Sequence, residues 1–505
     1  MSKKTFVLVI LDGWGIGRKN NSNPIYVQNP KTINYIKHNY PAASLQASGI
    51  AVGLPWEEEG NSEVGHLTLG AGKVIYQHFP RISLSVKNGD FFKNQILLEA
   101  FEHAKKNNSA VNLVGLISQG NVHASFQHLQ ALIKMAESLN VPKLNLHLIT
   151  DGKDGAPDAG ADLIQKLGNL RIASLSGRYF AMDRDFHLDR TEKAYNAMVG
   201  LTLNPGFENA SLLLNAYYNK GLGDESVEPI LLIADGKISD NDSVIFFNFR
   251  EDSMRQLTEM FIKFPLNNLL LTSFTMYSDK FNIPVAYPPE KIANPLGRVI
   301  SDSGKVQLRL AETQKYAHVT YFFNGFVETP FRNEYRVLIP SRNITRDDEF
   351  PEMMAPEITA RAISAIEEGI YDFILINYAN ADMIGHTGNY QAGLKAVEAV
   401  DQQLKQLMEA LLASGGTLLI TADHGNIERI LDPRTGLPET KHDVGPVPLY
   451  LVAQGYERAK EDSLVEAIES ESVGVLSDVA PTILELMGLP KPDEMTGESL
   501  LNSLR

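Results

Sequence analysis

The strongest constraint on what this chain can fold into is a rhythm. Short apolar, β-branched runs recur along it: TFVLVIL (5–11), VNLVGLI (111–117), LNLHLI (144–149), VIFFNF (244–249), VTYFF (319–323), FILINY (373–378) and TLLIT (417–421). Longer stretches with helical patterning lie between them, 391–413 being the clearest. Strands alternating with helices in this way predict α/β architecture with mostly parallel sheets. At 505 residues the chain exceeds one ordinary core, so two domains are expected. Ligands of such sheets gather beyond the carboxyl ends of the strands, and that is where chemistry should be sought.

Charge narrows the partners. Lys and Arg number 46 against 61 Asp and Glu, a formal net charge of −15, which argues against nucleic acid and anionic membrane surfaces. An anionic substrate would need basic residues gathered locally. The absence of cysteine excludes disulfides, thiolate-bound zinc and thiol catalysis, and fits a reducing cytoplasm. The opening MSKKTFVLVILDGWG meets Asp12 too early for a signal peptide, and no run reaches membrane-spanning length.

At the strand ends stand Asp12, then Asp382 and His386, then Asp423 and His424, with His442 and Asp443 in the loop beyond. Carboxylates and imidazoles without thiols could satisfy two divalent cations, with Ser62 or water completing the shells. In NADMIGH, Asp382 and His386 are four apart, so one helical turn puts them on one face. Singly, each residue reads as well as a helix cap or a satisfied core group. Ser62, in EEGNSEVGHLTLGAG (58–72), reads by itself as the N-cap of a following helix. A second group comprises His123, Lys153, Asp154, Arg184, Arg190, Arg250 and Arg255. Arginine grips carboxylate and phosphate in bidentate fashion, so this group is either an anion pocket or a solvated, ion-paired surface. His38, His66, His78, His103, His128, His147, His187 and His318 read as core or surface residues.

DGWG (12–15), GNSEVGH (60–66), GRYFAMDRD (177–185), NADMIGHTG (380–388), TADHGN (421–426) and KHDVGPVP (441–448) resemble the cofactor-independent phosphoglycerate mutases of the alkaline phosphatase superfamily. The resemblance implies an alkaline-phosphatase-like, mostly parallel sheet domain (1–77 and 292–505) with a second α/β transferase domain (78–291) inserted in it. It implies two divalent metal ions, manganese by family precedent. One would be held by Asp382, His386 and His442, the other by Asp12, Ser62, Asp423 and His424. Ser62 would be the nucleophile that becomes phosphoserine, Lys315 would bind phosphate, and Asp154 would shuttle a proton. His123, Lys153, Asp154, Arg184, Arg190, Arg250 and Lys315 fall at substrate positions. The implied reaction interconverts 3-phosphoglycerate and 2-phosphoglycerate without added 2,3-bisphosphoglycerate, in a cytoplasmic monomer whose partner is a phosphorylated small molecule.

Three departures from the family pattern cluster in the inserted segment: SQGNVHAS (118–125), TDGKD with Lys153 in place of an arginine, and FREDSMR with Ser253 where an arginine is expected. They leave open a metal-dependent phosphomonoesterase, or a mutase of another phosphorylated metabolite.

Overall fold

The computed structural model describes residues 4–202 and 209–504. The chain divides into two compact units, Met1–Tyr76 with Lys291–Arg505, and Gln77–Glu290. Each has its own sheet, and both sheets are largely parallel with helices between their strands. The α/β expectation holds.

The first unit has eight strands in the order Glu334–Ile339, Gln307–Glu312, Phe373–Tyr378, Phe6–Leu11, Thr417–Thr421, Val447–Ala453, Ala42–Gln46 and Gly474–Val475. The first five pair in parallel, and Val447–Ala453 runs antiparallel to both its neighbours. Phe6–Leu11 is buried at every residue, which is why its run is apolar without alternation. Gln307–Glu312 is also buried throughout but escaped the pattern because it carries Gln307 and Arg309. Arg309 donates to Gln307 Oε1 at 2.6 Å and lies over the rings of Phe323 and Phe373. The helix expected at 391–413 is Tyr390–Ala413, capped by Asn389 and burying Ala396, Val397, Val400, Leu404, Leu407 and Leu411 at helical spacing.

The strand expected at VTYFF is absent. His318–Phe322 is a π-helical turn. Val319, Thr320 and Phe323 are buried and Tyr321 and Phe322 are not, a helical rather than a two-residue period. Gly70 lets this segment come close: a Cβ there would lie 2.0 Å from the Phe323 carbonyl oxygen.

The second unit orders its strands Ile230–Leu231, Ile172–Gly177, Lys143–Thr150, Ala110–Ile117, Ser243–Phe246 and Leu270–Ser273, all parallel except the first pair. Among the described residues no helix is long and apolar enough to cross a membrane.

Candidate functional site

In the first unit four neighbouring parallel strands deliver chemistry at their carboxyl ends. Gln307–Glu312 leads to Lys315, Phe373–Tyr378 to Asp382, Phe6–Leu11 to Asp12, and Thr417–Thr421 to Asp423 and His424. Backbone bonds hold them in register, from Asp12 N–H to the Tyr378 carbonyl at 3.1 Å and from Asp382 N–H to the Asp12 carbonyl at 2.9 Å.

Ser62 opens the helix Ser62–Ala71, but it does not cap it. The cap is Asn61, in extended backbone, whose side chain accepts from Val64 N–H at 3.0 Å. The N-cap reading of Ser62 is thus corrected by one position, because GNSE offers two capping residues and Asn61 takes the role. Its hydroxyl is thereby released from helix duty. Ser62 Oγ donates to Asp12 Oδ1 at 3.1 Å, lies 3.0 Å from His424 Nε2 and accepts from Lys315 Nζ at 2.8 Å. The other six expected metal residues lie in one cluster with it. Lys315 Nζ also reaches Asp12 Oδ1 and Asp382 Oδ2, each at 2.6 Å. Asp382 Oδ1 faces His386 Nε2 at 3.2 Å and His442 Nε2 at 3.1 Å. Asp12, Asp423 and His424 converge as a second set, with His424 Nε2 3.7 Å from Asp12 Oδ1 and 3.6 Å from Asp423 Oδ2. Asp443 does not join them; it turns to Arg429 at 3.6 Å.

Behind these groups stands an outer layer that orients them. Asn377 Nδ2 donates to Asp12 Oδ2 at 2.7 Å and Asn426 Nδ2 to Asp382 Oδ1 at 3.0 Å. The Nδ1 atoms of His386 and His442 meet the Thr440 and Gly60 carbonyls at 2.9 and 2.7 Å, which leaves each Nε2 free to ligate. His66, read from sequence as core or surface, is fully buried here and sits 3.2 Å from Asp423 Oδ2. Its spacing of four from Ser62 on one helix was the available signal. Asn377, a polar residue inside the apolar run FILINY, was another. Gly13 (φ +74°) and Gly65 permit the close packing: a Cβ would lie 2.6 Å from Asp382 Cα at the first and 2.7 Å from Asp423 Cβ at the second.

The donor set fits divalent cations. Asp12, Asp382 and Asp423 are three buried carboxylates, and among the described residues Lys315 is the one ammonium set between them. Uncompensated buried charge is strongly unfavourable, so this donor set suits bound cations. Asp423 Oδ2 makes no hydrogen bond, since His66 Nδ1 is spent on the Ser62 carbonyl at 2.8 Å; the 3.2 Å contact to Asp423 is a proximity rather than a bond. Burial first, then Asp423, raises the Asp12 carboxyl above its ordinary value. Burial opposes ionisation of Asp382 too, but Lys315, His386 and His442 hold it well below the carboxylate range.

In the second unit His123 and Asp154 meet at a residue that was not singled out, Arg178. Its Nη1 donates to Asp151 Oδ1 and to Asp154 Oδ2, the latter at 2.9 Å, and its Nη2 lies 3.1 Å from His123 Nε2. Arg184 and Arg250 share Asp252, at 2.8 and 3.0 Å. Arg190 is held by Asp183 at 3.1 Å and lies over the Tyr179 ring at 4.0 Å. Lys153 is exposed and pairs with Glu225 at 3.2 Å. Ser253 is buried, its hydroxyl donating to the Arg250 carbonyl at 2.8 Å and accepting from Asn248 at 3.3 Å. Arg255 donates to the Tyr277 carbonyl at 2.9 Å.

Acids and imidazoles at the ends of parallel strands, closed around a serine, define a metalloenzyme, and the family model described as Metalloenzyme superfamily matches residues 4–491. A 2,3-bisphosphoglycerate-independent phosphoglycerate mutase of Clostridium botulinum is 44% identical, covering 99% of this chain and 100% of its own. A Methanosarcina barkeri protein of the same description is 42% identical over 99% of both chains. The crystal structure of Leishmania mexicana phosphoglycerate mutase is 27% identical with a TM-score of 0.54, over 99% of this chain and 98% of that one. The chain belongs to the 2,3-bisphosphoglycerate-independent phosphoglycerate mutases.

Proposed function

We propose that this enzyme interconverts 3-phosphoglycerate and 2-phosphoglycerate through a phosphoserine on Ser62, using two divalent cations, manganese by preference, and no added 2,3-bisphosphoglycerate. One observation carries the reading: the Ser62 hydroxyl, not used as a cap, meets Lys315 Nζ, Asp12 and His424 within 3.1 Å. Asp382, His386 and His442 would hold one cation, and Asp12, Ser62, Asp423 and His424 the other. When bound, such cations supply Lewis-acid chemistry, making a hydroxyl more acidic and neutralising phosphoryl charge.

Ser62 Oγ forms the new bond to phosphorus as the bond to the glycerate oxygen breaks. Its own proton has an acceptor within reach in Asp12 Oδ1, 3.1 Å away. Lys315 holds the phosphoryl oxygens, and phosphate on Ser62 gains from its place in the first turn of a helix. His123, Lys153, Arg184, Arg190 and Arg250 bind the substrate, the arginines gripping the glycerate carboxylate. Asp154 gives a proton to the leaving oxygen and takes one from the other hydroxyl, which then attacks the phosphoserine. Phosphoryl transfer needs little beyond such positioning and charge neutralisation. The family's soluble small-molecule chemistry and a chain without cysteine suit a cytoplasmic monomer.

The test is a coupled assay with 3-phosphoglycerate and manganese, without bisphosphoglycerate, followed by a free-phosphate assay. Formation of 2-phosphoglycerate, with phosphate trapped on the Ser62 peptide in mass spectra, is expected. Phosphate release without 2-phosphoglycerate would make the protein a phosphomonoesterase instead.

A further inference from the structure

Three adjacent strands of the second unit end in one row. Register pairs Ile117 with Thr150 and Thr150 with Gly177, so the next residues, Ser118, Asp151 and Arg178, stand side by side. They form a chain of bonds. Ser118 Oγ donates to Asp151 Oδ2 at 2.6 Å, and Arg178 Nη1 donates to Asp151 Oδ1. Asp151 Oδ1 also receives the backbone N–H groups of Lys153 and Asp154 at 3.2 and 3.1 Å, fixing the loop that carries Asp154. The guanidinium is therefore held in place by the sheet edge, and its remaining donors reach Asp154 Oδ2 and His123 Nε2.

Those two acceptors are only 3.9 Å apart. A carboxylate that close raises an imidazole's affinity for a proton, and the carboxylate's charge would then be spent on the imidazolium. Arg178 stands between them as a donor to both. Because guanidinium cannot accept a hydrogen bond, His123 Nε2 must, and the ring proton is confined to Nδ1. We propose that Arg178 is a positioning residue which, by donating at once to Asp154 and His123, keeps the imidazole neutral and reserves Asp154 as the proton carrier of this unit.

This rests on the reading of Asp154 given above. The charged groups that face His123 are Arg178, Asp154, Arg250 and Asp252. Burial first, then Arg178, holds the His123 ring down to about 4. The two cations outweigh the two carboxylates there, so the surrounding charge adds to burial in favouring the neutral imidazole.

The test compares Arg178→Gln, Arg178→Lys and Asp154→Asn in the full chain with 3-phosphoglycerate and manganese. His123 is followed by NMR of carbon-labelled histidine, its signal assigned by loss in His123→Gln. In Arg178→Gln we expect the His123 ring to titrate measurably higher than in the parent, still short of the ordinary histidine value because burial continues to oppose its charge. We also expect kcat to fall roughly tenfold or more with KM changed by less than about threefold. Arg178→Lys, which keeps the charge, should hold His123 neutral and recover part of kcat, and it serves if the glutamine variant does not fold. A His123 titration unmoved in Arg178→Gln, or a rise in KM with kcat intact, overturns the proposal. Asp154→Asn separates the premises: if it retains full turnover, the proton-carrier reading itself is wrong, whatever Arg178 does.

Discussion

Ser62 and Asn61 are neighbours with the same capping chemistry, and the fold separates their duties. Asn61→Ala should cost about 1 kcal/mol of stability, the worth of a cap. Ser62→Ala should leave the melting temperature nearly unchanged while interconversion is lost, since Ser62 Oγ bonds only to the site. Calorimetry and the coupled assay on the two variants check this, and substantial mutase activity in Ser62→Ala would refute the phosphoserine. Lys315 poses the opposite case. It is buried against Asp12 and Asp382, so Lys315→Met removes the ammonium that these two buried carboxylates share. Breaking such a pair costs about 3–5 kcal/mol. Denaturant unfolding in chelator should show that loss, and added divalent metal should restore part of it; a variant as stable as the parent in chelator would contradict the charge argument.

At the scale of elements, the helix Ser62–Ala71 shows propensity yielding to packing. Gly65 lies within it, and Gly→Ala there is worth up to about 1 kcal/mol of helix propensity. The tertiary structure reverses the sign, because a Cβ would lie 2.7 Å from both Cβ and the carbonyl oxygen of Asp423. Gly65→Ala is therefore expected to destabilise the protein and weaken metal binding, by the 10–100-fold or so typical of a disturbed outer shell. Titration calorimetry with manganese is the check, and a stabilised variant with unchanged affinity would show that helix and strand can separate freely. The π-helical turn His318–Phe322 makes a similar point. Its composition favours a strand, and packing against the core selects a helical period instead.

For the whole molecule, metal and protons compete for one set of groups. The hydrogen bond to Asp382 raises the His386 ring above its ordinary value. Burial pulls His442 down, but Asp382 and the Gly60 carbonyl raise it on balance. A raised imidazole contributes stability that is fully present below the unfolded value of about 6.5 and is lost as pH rises through the folded value. That holds for the metal-free chain. Ligation needs the neutral rings, so metal contributes the opposite slope. Melting curves in chelator and in manganese should thus draw apart as pH rises from about 6 to 8, and activity should fall in mild acid, less steeply at high manganese. Curves that stay parallel across that range would exclude the histidines as ligands.

The sequence by itself determined the fold class and picked out the acids and histidines that the fold brings together at the strand ends. Both follow from local pattern: apolar runs of strand length announce buried parallel strands, and acids and histidines just past them announce ligands, as with Asp12 after Phe6–Leu11 and Asp423 after Thr417–Thr421. Strands with polar or small residues, Gln307–Glu312 and Ala42–Gln46 among them, stayed illegible because their burial depends on neighbours far along the chain. Only the tertiary structure decided which of Asn61 and Ser62 caps the helix, that Asp443 turns away from the histidines, and that His66, Asn377 and Asn426 back the clustered acids. It alone placed Arg178 between Asp154 and His123. Each of these depends on distances between residues dozens to hundreds apart in sequence, and hydrogen bonds are made by proximity in space, which no local pattern encodes.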